Sequence, residues 1–216
     1  MSHSPAASLL RDLIHRMSTK ERVTDSSQSA SWHAHREAER LSDPGLLPGL
    51  ESFIASSKSK DELKAAYFIL GALGANASDP RCAHMLAERL PIEKDKYVLA
   101  SALEALAKIE KPADFPLEAV FACLLDDRWL VRHAAIRALC KTQSASVEER
   151  LLQHLSSTSE PYDMIYCHIT LGEVGGARSL PALQTGLASR KRDVKASAEA
   201  AVRAIGSRMN SPAQSQ

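Results

Sequence analysis

The sequence predicts an all-α chain: an α-α superhelix, a solenoid of about five helix pairs, preceded by an atypical N-terminal helical cap. A recurring anchor pattern, a shorter partner helix before each anchor, and punctuation at the unit boundaries predict it. The clearest copy of the pattern is Trp129 to Lys141, WLVRHAAIRALCK. With Leu139 as anchor, the equivalent positions are Leu70, Leu106, Leu171 and Val202, at intervals of roughly 31 to 36 residues, in the range of helical-repeat units. Four residues before each anchor stands a small residue: Ala66, Ala102, Ala135, Cys167 and Ala198. Three residues after it come Leu73, Ile109, Val174 and Ile205, with Thr142 as the exception. Steps of four and three place these residues on one helical face, and the small residue lets a neighbouring helix approach closely.

Taken in order, residues 1–42 read as an N-terminal helical cap or arm. Residues 1–7 are expected to be unstructured. Leu9, Leu10, Leu13, Ile14 and Met17 make one amphipathic helix, 18–30 a polar loop, and 32–41 a charged helix. The array spans 43–207, in units of about 43–76, 79–111, 113–143, 145–175 and 176–207. Its first helices read Leu46–Ile54, Cys82–Leu90, Leu117–Leu125, Val147–Leu155 and Leu180–Leu187. Leu180, Leu183 and Leu187 show the apolar stripe directly. Asp43-Pro44 and Asp79-Pro80 open two units as helix starts, and Pro48, Pro116 and Pro181 fall early in their helices. Gly71, Gly74, Gly172, Gly175 and Gly206 read as second-helix stops. The polar end, 208–216, is expected to be a disordered tail.

The segments GGARSLPALQTGLASRKRDVKASAEAAVRAIG (Gly175 to Gly206) and Asp126 to Cys140 resemble HEAT repeats, most closely the short bacterial type also found in phycobilisome lyases. The resemblance covers about residues 43 to 206. It implies a concave wall made of the second helices. It also implies a ladder in which an acid before a second helix pairs with a base at its start, here Asp127 with Arg132 and Asp193 with Lys195. It leaves function open, because such arrays serve many roles.

Composition narrows the classes. In 216 residues the hydrophobic share is 44%, enough for a core, while aromatics make up only 5%. A net charge of +1 argues against a nucleic-acid partner, since phosphate affinity comes from concentrated Lys and Arg. No apolar run approaches the roughly 20 residues that cross a membrane, and the N-terminus lacks the basic start of a secretory signal. Cys82, Cys123, Cys140 and Cys167 lie on or beside apolar helical positions without a C-x-x-C spacing, which reads as buried free thiols in a reducing cytoplasm.

A partner would touch the second-helix positions beside the core stripe. These hold Lys64, Phe68, Glu104, His133, Arg137, Ile165 and Ile169, with Lys108, Lys141 and Arg203 adjacent. Phe68, Ile165 and Ile169 stand out as large apolar residues on a face expected to meet solvent. Nucleotide-binding glycine motifs, zinc-protease motifs and the serine-hydrolase elbow are absent. The pairs His33/His35, Cys82/His84 and Cys167/His168 have spacings that point apart on a helix, so no metal site is expected. The resulting expectation is a cytoplasmic scaffold that is not an enzyme, has no cofactor, is monomeric when free, and binds a protein partner as adaptor, assembly factor or inhibitor. The alternative is a HEAT-like alkylpurine DNA glycosylase or DNA-binding protein. That reading rests on Asp126, Asp127, Arg128 and Trp129 beside Arg132 and Arg137, with Arg190-Lys191-Arg192 available to phosphate.

Overall fold

The computed structural model describes residues 5–142 and 144–210. Among them twelve α-helices follow one another: α1 (Pro5–Ser18), α2 (Ala30–Ala38), α3 (Leu47–Ser56), α4 (Lys60–Ala77), α5 (Pro80–Arg89), α6 (Lys96–Lys108), α7 (Glu118–Cys123), α8 (Trp129–Ala138), α9 (Ala145–Ser157), α10 (Pro161–Val174), α11 (Leu180–Leu187) and α12 (Arg192–Asn210). Each even-numbered helix from α4 onward packs on the next one, and each also packs on the odd-numbered helix before it. The odd-numbered helices touch one another little. A stack with one tightly joined layer and one splayed layer curves toward the tight one, so the even-numbered helices form the inner wall.

The repeat positions explain this packing. Leu70, Leu106, Leu139 and Leu171 are fully buried, as are Ala66, Ala102, Ala135, Cys167 and Ala198. Each buried leucine contributes about 1.5–3 kcal/mol, and no helix could bury its stripe alone. Val202 is only half-buried, and among the described residues no later helix packs on α12. Its core stripe is Val194, Ala198, Ala201 and Ile205. The cap joins the same core: α1 buries Leu10, Leu13, Ile14 and Met17 and packs on α3 and α4, while α2 contributes Ala34 and Ala38.

Several expectations change. Gly71 and Gly74 lie inside α4, which ends instead at Ser78 in the left-handed conformation (φ 51°). A Cβ on Gly71 would stand 2.8 Å from the Ala105 Cβ, and one on Gly74 would stand 2.6 Å from the Cys82 Cβ. These glycines therefore set how closely α6 and α5 approach α4. Thr142 leaves the pattern because α8 already ends at Ala138; Thr142 forms a parallel bridge with Lys111. The chain end expected to be free from 208 is helical through Asn210, where the Arg208 guanidinium donates to the carbonyls of Gly172 and, at 2.7 Å, Gly175. Residues 211–216 of that expectation, and residues 1–4 of the N-terminal one, lie outside the described residues.

Arg208 is one of a set of side chains that satisfy the orphan carbonyls at the ends of the inner helices. The Asn76 amide donates to the carbonyls of Glu39 (2.8 Å) and Leu41 (2.9 Å) beyond α2. Lys141, in the left-handed conformation, donates to the last carbonyl of α6, Lys108, at 2.9 Å. Lys111 is buried, and its Nζ donates to Leu106, Ile109 and Cys140 at 3.0, 2.8 and 2.7 Å. Burial pulls the Lys111 pKa down to about 8. Three carbonyl acceptors need all three ammonium protons, so we assign it as charged at neutral pH.

The opposite ends of the inner helices carry the acid–base ladder, with different acids from those expected. Lys60 pairs with Asp95 (2.7 Å), Arg128 with Asp126 (2.7 Å) and Arg132 with Asp163 of the next unit (3.0 Å). Asp127 supplies Arg132 only with its backbone carbonyl. Asp193 pairs with Arg192 rather than Lys195.

Candidate functional site

The inner wall is continuous along α4 to α12, but its hollow is local. A cavity of about 430 Å³ opens where the end of α1 and the side of α2 meet α4 and α6. Met17, Ala65 and Ala105 are its buried apolar floor, and the half-buried Phe68 stands at its centre. Phe68 occurs there because α4 buries Leu63, Ala66 and Leu70 toward the core, which turns the intervening position to the wall.

Phe68 is engaged on two sides. The Lys108 Nζ lies 3.9 Å from its ring centroid, a cation–π contact. The His35 ring meets it edge-on at 4.9 Å, held by a 2.7 Å hydrogen bond between its Nδ1 and the Ser31 carbonyl. Asp61 is shared by Lys20 (3.1 Å) and Lys64 (2.6 Å). Lys108 has no such carboxylate partner among the described residues. Desolvation lowers its pKa, against the opposing charges of Glu39 and Glu104. The hollow thus offers an apolar floor, an aromatic ring, an ammonium without a carboxylate, and hydroxyls from Thr19, Ser31 and Ser101. That set suits an amphipathic side chain ending in an acceptor.

Of the residues expected to meet a partner, Lys64, Phe68 and Glu104 come together here with Lys108. Arg137 and Arg203 are exposed further along the wall, Ile169 is exposed and Ile165 half-buried. Lys141 is exposed, but in the turn after α8 rather than on its face. His133 requires a correction. It is buried, and its Nε2 donates to Asp163 Oδ1 at 2.7 Å, so it does not belong to the open wall. The cap's contribution, Met17, Thr19, Lys20, Ser31 and His35, escaped the repeat-based reading because α1 and α2 carry no anchor pattern. Only the apolar spacing ending at Met17 hinted at it.

The carboxylate that draws His133 inward stands where three other units have valine and the α4 unit has Glu62. Val98, Val131 and Val194 occupy the position eight before their anchors and are buried; Asp163 occupies it in α10. Its Oδ2 accepts from Arg132 Nε at 3.0 Å and Thr158 Oγ1 at 3.4 Å, with His154 Nε2 at 3.5 Å. Burial raises the Asp163 pKa, but the hydrogen bond and charge of Arg132, followed by His133, outweigh it, and the net shift is downward. His133 moves down, chiefly through burial. The four cysteines are buried free thiols. Burial pushes Cys82, Cys123 and Cys140 up to about 11, away from nucleophilic thiolate. Among the described residues no cluster of three or more His, Cys, Asp or Glu is placed to hold a metal, and no helix is long and apolar enough to cross a membrane.

A curved stack of helix pairs with an open inner wall defines the class: a helical-repeat scaffold. The family model for HEAT repeats matches residues 117–203, the part of the chain from the start of the α7 unit to α12. Among solved structures, an engineered protein aligns over 95% of this chain and 98% of its own, with TM-score 0.58 and 19% identity. A designed armadillo repeat protein aligns over 91% and 99%, with TM-score 0.55 and 16% identity. Kap121p bound to Nup53p aligns with TM-score 0.67 and 16% identity over 93% of this chain, which spans 25% of that one. At these identities the likeness shows the fold alone. The comparison with curated proteins finds no match.

Proposed function

We propose that this chain is a non-catalytic scaffold that captures a protein partner on its inner wall, as adaptor, assembly factor or inhibitor. The observation that carries the reading is the hollow: an aromatic ring and an ammonium without a carboxylate, set over an apolar floor in a wall otherwise free to be covered. A protein ligand matches this mixture better than a polyanion does, because Lys20 and Lys64 are already occupied by Asp61. That one structural neighbour, Kap121p, is bound to a protein, Nup53p, is compatible with this use of the fold.

Part of the residue set behind the DNA-glycosylase alternative is engaged within the chain. Asp126 accepts from the Arg128 guanidinium and backbone, and Arg132 is held by Asp163. Asp127, Trp129 and Arg137 are exposed, and the Asp127 substitution below tests them.

The test is affinity capture from the native host with mass spectrometry, using the parent chain and a Phe68→Ala, Arg137→Glu variant. The expected result is a specific partner retained by the parent and lost by the variant at unchanged helicity. Equal capture by both would remove the inner-wall reading. Release of bases from alkylated DNA that disappears on Asp127→Asn would replace it with the enzymatic one.

A further inference from the structure

Away from the hollow, the entries to three consecutive inner helices repeat one short pattern: an acid, any residue, then an exposed aromatic ring. The copies are Asp95-Lys96-Tyr97 at α6, Asp127-Arg128-Trp129 at α8 and Glu160-Pro161-Tyr162 at α10. Tyr97, Trp129 and Tyr162 are 56%, 61% and 66% exposed. The copy at α8 stands one residue further from its anchor than the other two. At α6 the pattern is satisfied within the chain. Asp95 accepts from Lys60 at 2.7 Å and from the Tyr97 and Val98 amides at 2.9 and 3.2 Å. Lys96 covers the Tyr97 ring, 5.0 Å from its centroid.

At α8 and α10 both the acid and the ring are open. Asp127 and Glu160 are exposed, and among the described residues neither carboxylate has an ion pair or a hydrogen bond. Glu160 stands at the N-cap of α10 without capping it. The two rings share a neighbour: the His133 imidazole lies 5.4 Å from Trp129 and 6.3 Å from Tyr162, and the Glu160 charge acts on it. Arg132, beside it in the chain, reaches back to the Asp127 carbonyl at 3.0 Å. These contacts gather the two open copies around one point of the edge.

Charge selects the occupant. The bases of this stretch are already held, Arg128 by Asp126 at 2.7 Å and Arg132 by Asp163 at 3.0 Å. Burial lowers the His133 pKa and keeps its ring neutral. Asp127 and Glu160 are therefore unmatched negative charge beside exposed rings. An anionic ligand is repelled there, and an apolar one would cover the carboxylates without pairing them. A guanidinium meets both groups at once: its flat face stacks on an aromatic ring and its edge donates to a carboxylate. An ammonium, a compact and strongly hydrated charge, lacks that planar match. We propose that this edge binds arginine side chains of a basic segment of a partner protein, stacked on Trp129 and Tyr162 and paired with Asp127 and Glu160. The proposal does not depend on the hollow.

Trp32→Phe leaves Trp129 as the sole tryptophan and gives a direct reporter. The probe is a capped peptide of three Gly-Arg-Ser repeats; citrulline in place of arginine keeps its shape and removes its charge. The arginine peptide is expected to shift Trp129 emission saturably, and more weakly as salt rises. The citrulline peptide should give no shift. Labelled arginine peptide, followed by anisotropy, should bind the Asp127→Asn, Glu160→Gln double variant and Tyr162→Ala about tenfold more weakly, with helicity unchanged by circular dichroism. It should bind Tyr97→Ala and Lys108→Ala as it binds the parent. The proposal is overturned by any of the following: no saturation at millimolar peptide; citrulline or lysine peptides that bind as tightly as the arginine peptide; a carboxylate double variant that binds like the parent; or weakening by Tyr97→Ala or Lys108→Ala, which would move the ligand to α6 or into the hollow.

Discussion

Lys64 and His133 stand at the same repeat position, six before the anchors of α4 and α8, yet one lines an open hollow and the other is buried. The difference comes from the next helix. Facing α4, position eight before the α6 anchor is Val98, which offers a polar side chain nothing; facing α8, it is Asp163. One buried carboxylate draws His133 and Arg132 into the helix interface. The α4–α6 contact stays close, through Gly71 against Ala105, and Lys64, Phe68 and Glu104 line the hollow. A repeat position therefore does not fix exposure; its neighbour in the following unit does.

The contrast breaks most sharply at Asp163. Asp163→Ala should cost about 3 kcal/mol in chemical denaturation, because it strands a buried histidine and a half-buried arginine. Replacing Asp163, Arg132 and His133 together with apolar residues should cost far less. Equal losses would mean that the network is not a unit.

On the α4–α6 side, Gly71→Ala adds helix propensity worth about 1 kcal/mol, but drives a Cβ to 2.8 Å from that of Ala105. A net loss of about 1–2 kcal/mol is expected. A gain in melting temperature would show that the contact is looser than described.

Acid should separate the two regions as well. The pKa values of His133 and His168 are lowered, chiefly by burial. The folded state therefore resists protons that the unfolded chain accepts below about pH 6.5. Stability from these groups is full above that pH and falls as pH drops toward their folded values. The depressed Asp163 adds a further loss only below about pH 4. Melting temperatures from pH 7 to 5 should decline, and His168→Asn should flatten the slope; an unchanged slope would assign the decline to other groups.

The smallest effect belongs to the hollow. Lys108→Ala should change stability by less than about 1 kcal/mol, the scale of an exposed cation–π contact. Its expected consequence is weaker partner capture, and a large drop in stability would make Lys108 a structural residue.

Much of this was legible from residue spacing. Leu106 and Leu139, with Ala102 and Ala135, announced the inner helices because a stripe of period 3.6 marks one buried helical face, and its return in every unit supplies the neighbouring helix that covers it. The same spacing placed Phe68 beside that stripe. It could not place Lys111, whose three carbonyl partners come from the ends of two helices, nor the cap residues Met17 and His35, which complete the hollow without belonging to any repeat.

The sequence by itself determined that this chain stacks helix pairs and which face of each helix is core, since helical periodicity and side-chain volume are local properties. Only the tertiary structure decided that His133 is buried and that Lys108 lies over Phe68. Those outcomes depend on which side chain of the next unit arrives opposite each position, and that depends on how the units pack.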